Sequence, residues 1–138
     1  MINGAMNTGH DGSLSTCHSN SCMDTISRLG TMMLMECEVP IAALRRQIGS
    51  AVDIIVHLGR LRDRSRKILE ICEVYDTHDG EVGLSPLFLF EEEREEAGKI
   101  IGRWRMVSSL SDRTKLRLAG KEEELIDLEE TIRGESDT

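Results

Sequence analysis

The fold class is decided by residues 53–58, Asp-Ile-Ile-Val-His-Leu. This apolar run is continuous and bounded by polar residues, which is typical of a β-strand buried on both faces, as in a parallel sheet. Helical periodicity precedes the run, and two further strand patterns follow it. The sequence therefore predicts an α/β fold.

Two amphipathic helices are predicted before this run. The first extends from about Met23 to Glu36 and follows a weak capping box, Ser21-x-x-Asp24. The second follows Pro40, a residue that suits the first turn of a helix. The apolar faces consist of Ile26, Leu29, Met33 and Cys37 in the first helix, and of Ile41, Leu44, Ile48 and Val52 in the second.

A hairpin is predicted after the buried run. Its strands are residues 65–75 and 81–90, and Asp79-Gly80 between them is a turn signal. Pro86 cannot donate a hydrogen bond to a neighbouring strand, so it makes the end of the second strand an edge.

The character of the chain changes at residues 91–96, Glu-Glu-Glu-Arg-Glu-Glu, a charge run of the kind that usually forms a solvated linker. A short segment around Trp104 and a helical region with an acidic tail follow. We therefore divide the chain into a core portion at residues 1–90, an acidic linker at 91–98 and a C-terminal extension at 99–138.

Composition excludes several classes of function. Lys and Arg number 17 and Asp and Glu number 25, so the 138-residue chain carries a formal charge of −8. Net acidity argues against a nucleic-acid binder, which needs a dominant basic face, and against binding to anionic lipid. The sequence has neither an apolar run of about 18 residues nor a secretory signal pattern, which predicts a cytoplasmic location without membrane insertion.

The four cysteines, Cys17, Cys22, Cys37 and Cys72, include no C-x-x-C pair. Zinc sites need four ligands at a recognisable spacing, so reduced thiols are the favoured interpretation and no metal is expected. A small metal-binding regulator that uses Cys17, His18 and Cys22 stays as a third alternative for the function of the chain.

Residues 8–21 concentrate glycines, hydroxyls and two imidazoles in a loop that leads into the first helix. Backbone N–H groups and a helix N-terminus both favour anions. A neutral imidazole, which titrates at about pH 6.5, can donate to a phosphate or relay a proton. On chemistry alone, a polar loop with two exposed histidines is the simpler interpretation.

Residues 5–21, Ala-Met-Asn-Thr-Gly-His-Asp-Gly-Ser-Leu-Ser-Thr-Cys-His-Ser-Asn-Ser, resemble the histidine box of the type II/IV secretion ATPases. The likeness is greatest to the CpaF-type motor ATPases of tight-adherence (Tad) pili. It continues in the family's order and covers about residues 5–120. The later matching segments are residues 24–33, 40–48, 50–56, 60–67, 73–74, 87–90 and 98–120.

This resemblance implies a hexameric, cytoplasmic ATPase that uses ATP and Mg²⁺. It would lie at the inner face of the plasma membrane through an inner-membrane platform that assembles pilin or exports protein. The resemblance also implies that the histidine box lies beside the nucleotide near the subunit interface. His10 and His18 match its two histidines, and Thr8, Gly9, Gly12 and Thr16 shape its loop.

The sequence departs from the family in one respect: no G-x-x-x-x-G-K-[ST] motif occurs in it, and Gly98-Lys99 lacks the pattern. In the family that phosphate-binding loop and the acidic boxes precede the histidine box. The expectation is therefore the C-terminal part of a RecA-like P-loop core, from a split gene, a truncated gene or an incomplete sequence. It would comprise a histidine-box strand, two helices, a buried strand, an antiparallel hairpin and a helical tail, with an open apolar edge.

Two functions are consistent with that expectation. The favoured one is a fragment of a secretion or pilus-assembly motor, which neither hydrolyses ATP nor binds ATP and Mg²⁺ tightly alone. Its partners would be further copies of the chain or the missing ATPase half. The alternative is a non-catalytic interaction module that binds a motor subunit or a membrane platform protein.

A basic stretch at residues 44–67 carries seven basic and two acidic side chains, a local charge of +5. Arg60, Arg62, Arg64 and Arg66 alternate, so in an extended strand they share one face. One interpretation is contact with phosphate or with the acidic surface of a neighbouring subunit. The other is a solvated turn before the hairpin.

Overall fold

A computed structural model describes residues 12–36, 38–77 and 79–136. Its mixed α/β architecture confirms the predicted class. In these described ranges, four strands form one antiparallel sheet in the order β1-β2-β3-β4. The elements in chain order are α1 (Cys22–Glu36), α2 (Ile41–Ala51), β1 (Ile54–Arg60), β2 (Arg66–Asp76), β3 (Val82–Glu96), β4 (Lys99–Met106), α3 (Thr114–Leu118) and α4 (Glu122–Ser136).

Both predicted helices before the sheet are present, and the first has the predicted cap. The Ser21 hydroxyl accepts the N–H of Asp24 at 3.0 Å, and the Asp24 carboxylate accepts the N–H of Asn20 at 2.9 Å. That backbone donor lowers the pKa of Asp24. The second helix begins after Pro40, whose carbonyl accepts the N–H groups of residues 43 and 44. These contacts satisfy backbone donors that a helix start otherwise leaves to water.

The main core lies between the two helices and one face of the sheet. Leu29 and Met33 pack against it, as the helical periodicity predicts, whereas Ile41 is 52% exposed, contrary to the predicted face. Position 37, predicted to complete the first apolar face, lies outside the described residues. The buried residues of this cluster are Cys22, Ile26, Ile48, Ile55, Cys72 and Val74.

Strand β1 differs from its prediction as a strand buried on both faces of a parallel sheet. It is antiparallel to β2 and lies at the edge of the sheet formed by the described residues. Ile55 on the helix side is 9% exposed, whereas Ile54, Val56 and Leu58 on the opposite side are 40%, 45% and 63% exposed. The apolar run provides apolar side chains on both faces of β1, but the described residues bury only one of these faces. Apolar side chains are therefore exposed on one face of this edge strand.

The β2–β3 hairpin is confirmed, with Gly80 at a positive φ of 76° in its turn. Contrary to the prediction from Pro86, β3 is not an edge strand, because it pairs with both β2 and β4. Pro86 lies opposite Cys72, next to a register irregularity, and the ladder to β4 begins only at Phe88. The missing N–H is therefore accommodated at a bulge, where proline is tolerated.

The acidic run at residues 91–96 is the outer half of β3 and not the predicted linker. Positive φ values at Ala97 and Gly98, 50° and 73°, turn the chain directly into β4. The fourth strand places Arg103 opposite Glu91, and the guanidinium of Arg105 also contacts the Glu91 carboxylate. Opposite charges on paired strands stabilise the ladder where a run of like charge alone would not.

The C-terminal segment covers part of the other sheet face through a buried carboxylate. Glu73 is 4% exposed, and its two oxygens accept the N–H groups of Ser111 and Asp112 at 2.9 and 2.7 Å. Gly120 ends α3 with a φ of 68°, as predicted for a helix breaker. Hydrogen bonds that buried Glu73 accepts therefore hold residues after β4 on the sheet.

We predict that Glu73→Ala lowers the free energy of unfolding by about 2–3 kcal/mol, because two backbone donors lose a charged acceptor. Urea denaturation followed by circular dichroism measures the change. Glu93→Ala is the control, because its ion pair with Arg103 is exposed and its loss costs less than about 1 kcal/mol. Equal stability of the two variants would contradict the role assigned to Glu73.

Candidate functional site

The segment before α1 carries the described part of the predicted nucleotide site. Residues 13–19 form no strand, so the predicted histidine-box strand is wrong for the part of the chain that the structure describes. Their short β-prone pattern has no neighbouring strand to pair with among the described residues. His10, Thr8 and Gly9 were also predicted for this site and lie outside the described residues.

Gly12, Thr16 and His18 are all exposed. Gly12 has a φ of 83°, a conformation that favours glycine, in agreement with a loop that needs conformational freedom. The segment is anchored at its C-terminal end, where the hydroxyls of Ser19 and Thr25 lie 2.6 Å apart. The structure therefore presents His18 to solvent just before the N-terminus of α1.

The N-terminus of α1 is tied to the sheet by a residue that the sequence patterns do not single out. The Glu70 carboxylate accepts the N–H of Cys22 at 2.6 Å. With the Asp24 N–H held by Ser21, two of the four terminal donors already have protein acceptors. The only sequence signal for Glu70 is a charged residue two positions before Cys72, hence on the same face of β2.

The four arginines do not share a face of one strand. Arg60 ends β1 and pairs directly with Arg66 at the start of β2, so the two lie across the hairpin. Arg64 lies in the turn with a φ of 68°. The alternation coincides with a tight turn, which reverses the chain and defeats the period-2 argument. Arg60, Arg64 and Arg66 are exposed.

Arg62 forms ion pairs within the protein. Its guanidinium binds the carboxylates of Glu92 and Glu95, with Nη1 2.6 Å from Glu92 Oε2 and Nη2 3.0 Å from Glu95. Hydrogen bonds to these carboxylates raise the pKa of Arg62, and the same contact lowers the pKa of Glu92. Arg62 therefore ties the β1–β2 turn to β3.

Asp63 ties the same turn to β4. Its Oδ2 accepts the N–H of Ile100 at 2.9 Å, and its Oδ1 accepts the N–H and hydroxyl of Ser65 at 2.9 and 2.6 Å. These donors, led by the Ile100 N–H, lower the pKa of Asp63 to about 2. The part of the basic stretch between β1 and β2 is thus a turn held in place by internal contacts.

The cysteines do not form the group considered from the sequence. Cys17 is exposed, whereas Cys22 is buried beside Cys72 and Glu70. Burial raises the pKa of the Cys22 and Cys72 thiols above the ordinary range. Among the described elements, none is a helix with the length and apolar character needed to cross a bilayer.

Comparison with known proteins identifies the class. Residues 1–130 match the family described as "Type II/IV secretion system protein", and the chain belongs to that family. It is 32% identical over 91 residues to the "Probable conjugal transfer protein TrbB" of Sinorhizobium fredii. It is 37% identical over 54 residues to the "Type IV secretion system protein VirB11" of Brucella suis and of Brucella melitensis.

These alignments cover limited parts of the relatives. The first spans 66% of this chain and 27% of the conjugal transfer protein, and the second spans 37% of this chain and 15% of each VirB11 protein. The matched region therefore corresponds to about a quarter or less of each curated relative.

We predict that stability falls between about pH 4 and pH 2, partly because of Asp63. Its pKa is lower in the folded state than its ordinary value of 3.8, so its contribution is full above that value and is lost as the pH falls toward 2. Asp63→Asn removes this contribution. Urea midpoints of the variant should therefore change less with pH across this window than those of the wild type.

Ser65→Ala serves as the matched comparison, because it removes one donor and leaves the Ile100 N–H on the carboxylate. It should retain part of the pH dependence. A wild-type pH dependence in Asp63→Asn would show that Asp63 is not the responsible group.

Proposed function

We propose that this chain is the C-terminal portion of a motor ATPase for pilus assembly or protein export, of the CpaF type. Two observations support the proposal. Residues 1–130 match the secretion-system family, and the segments that resemble CpaF-type motors occur in the family's order. In this proposal the working form is a hexamer that binds ATP and Mg²⁺ and acts beneath an inner-membrane platform.

The observation that carries the nucleotide role is the position of His18. It is exposed in a polar segment that leads into the capped N-terminus of α1, and Ser19 anchors that segment to Thr25. An exposed imidazole on an anchored segment beside a helix N-terminus suits contact with a phosphate oxygen. We assign His10 and His18 to phosphate sensing, with Thr8, Gly9, Gly12 and Thr16 shaping the loop.

The exposed edge of β1 supports a missing structural half. Ile54, Val56 and Leu58 form an apolar row on a strand whose outer side has no partner strand among the described residues. Such an edge exposes backbone donors and acceptors that another strand can pair with. We propose that the P-loop half of the ATPase extends the sheet here. Arg60, Arg64 and Arg66 lie at the adjoining turn and are candidates for phosphate or neighbour contact.

The same edge also favours the second candidate, a non-catalytic module that binds a motor subunit or platform protein. An apolar row needs a partner surface but does not require that the partner bring a nucleotide. The two candidates differ in the consequence of docking: the motor fragment acquires ATP hydrolysis, whereas the module only forms a complex.

We predict that the chain, mixed with a polypeptide carrying the P-loop half of a type II/IV secretion ATPase, restores phosphate release from ATP and Mg²⁺. His18→Ala should lower kcat by about 100-fold, the lower end of what one positioned proton donor contributes. Phosphate release is measured against ATP concentration, and complex formation is measured in parallel by analytical ultracentrifugation.

Cys17→Ser is the matched control, since it alters the exposed neighbour of His18 without removing an imidazole. It should keep the restored activity. A complex without phosphate release would favour the interaction module. Full activity in His18→Ala would reject the phosphate-sensing role.

A further inference from the structure

A buried group of sulfur and oxygen atoms lies between α1 and the sheet. Cys22 is the first residue of α1, and Glu70 and Cys72 are two positions apart on β2, so their side chains point to the same face. The two sulfurs and a Glu70 carboxylate oxygen all lie within 4.8 Å of one another. Cys22 and Cys72 are only 1% and 3% exposed.

His57 lies beside the carboxylate of this group. It lies directly opposite Glu70 in the β1–β2 ladder, and its Nδ1 is 4.0 Å from Glu70 Oε1. Its side chain is 13% exposed, which leaves the imidazole mostly buried beside the carboxylate. Helix α1 and strand β2 thus bring two thiols and a carboxylate together, and β1 places an imidazole beside that carboxylate.

We propose that Cys22, Cys72, Glu70 and His57 form a zinc-binding site. Sulfur, nitrogen and carboxylate oxygen are the ligands that zinc takes in tetrahedral protein sites. A Zn–S bond of about 2.3 Å sets the two sulfurs about 3.8 Å apart, so the two sulfurs, which lie within 4.8 Å of each other, need to approach by about 1 Å or less. Two thiolates disfavour Mg²⁺ and Ca²⁺, which prefer all-oxygen ligands.

The hydrogen bonds of this group leave its sulfurs weakly held. The Cys22 thiol donates to the Ile55 carbonyl at 3.7 Å, and the Cys72 thiol donates to Glu70 at 3.9 Å. Both contacts are long, and a thiol is a weak donor. Metal coordination replaces these contacts with stronger bonds, and both thiols release their protons to solvent.

Outer contacts orient the oxygen ligand. The Cys22 N–H holds Glu70 Oε1 at 2.6 Å, which fixes the carboxylate against the start of α1. Hydrogen bonds of this kind hold ligands in place at metal sites. The site therefore has candidate ligands from three elements and a support that sets the position of one of them.

The sequence alone does not show this site, because its ligands are scattered. Cys22 is separated from Glu70 by 48 positions, and neither the C-x-x-C nor the C-x-x-H spacing occurs. Only the pairing of β1 with β2 and the packing of α1 on their face bring the four side chains together.

The test uses the reduced, purified 138-residue chain and Zn²⁺, titrated against a chromophoric chelator. We expect one zinc ion per chain, and Co²⁺ in its place should give the near-ultraviolet absorption of thiolate–cobalt bonds. Cys17→Ser should bind like the wild type, because Cys17 is exposed and lies outside the group. Cys72→Ser should bind at least about 100-fold more weakly, and Zn²⁺ should raise the Tm of the wild type and of Cys17→Ser but not that of Cys72→Ser.

Two milder variants keep the test valid if Cys72→Ser fails to fold. Glu70→Gln and His57→Asn keep the approximate size of each side chain, and each should weaken Zn²⁺ binding by at least about tenfold. Circular dichroism confirms that each variant is folded. Wild-type affinity in all folded variants overturns the proposal, as does the absence of tight Zn²⁺ binding by the wild type.

Discussion

Strand β2 holds chain segments on both faces of the sheet with two buried or half-buried carboxylates. On one face Glu70 accepts the N–H of Cys22 and fixes the start of α1. On the other face Glu73 accepts the N–H groups of Ser111 and Asp112 and fixes the segment after β4. A carboxylate in the middle of a sheet is costly unless strong donors reach it. These backbone contacts supply the donors and fix where the flanking segments lie.

The position of the candidate nucleotide segment depends on the first of these contacts. Cys22 and Ile26 pack against Ile55 and Cys72, and Glu70 fixes the first turn of the helix above them. The sheet therefore fixes the point from which the preceding residues, including His18, extend, although these residues form no strand. Local chain geometry alone would leave them as an unanchored polar loop.

Much of this architecture was predictable from local patterns. The capping box at Ser21, the helix break at Gly120 and the hairpin turn before β3 each have a local cause, and each prediction is confirmed. The two errors in strand assignment, at the acidic run and at Pro86, have a different cause. Correct predictions there required knowledge of the partner strand. The acidic run forms a strand because β4 carries arginines opposite it, and Pro86 is tolerated because it lies at a bulge.

The candidate sites divide in the same way. His18 was found because a continuous motif contains it, whereas Glu70 has no local signal and becomes meaningful only when α1 packs on β2. For the arginines of residues 60–66, a clear sequence pattern led to a wrong structural prediction. Their alternation is real, but the turn at Arg64 separates them and Arg62 is already bound to glutamates. Spacing therefore predicts a shared face only where the backbone stays extended.

The two proposed sites meet at Glu70. An anion near the N-terminus of α1 is attracted by the helix dipole but repelled by this carboxylate, which occupies the Cys22 N–H. Zinc coordination would hold the first turn of α1 to the sheet, and because two thiol protons leave as Zn²⁺ binds, the net charge of the group at this helix end would stay the same.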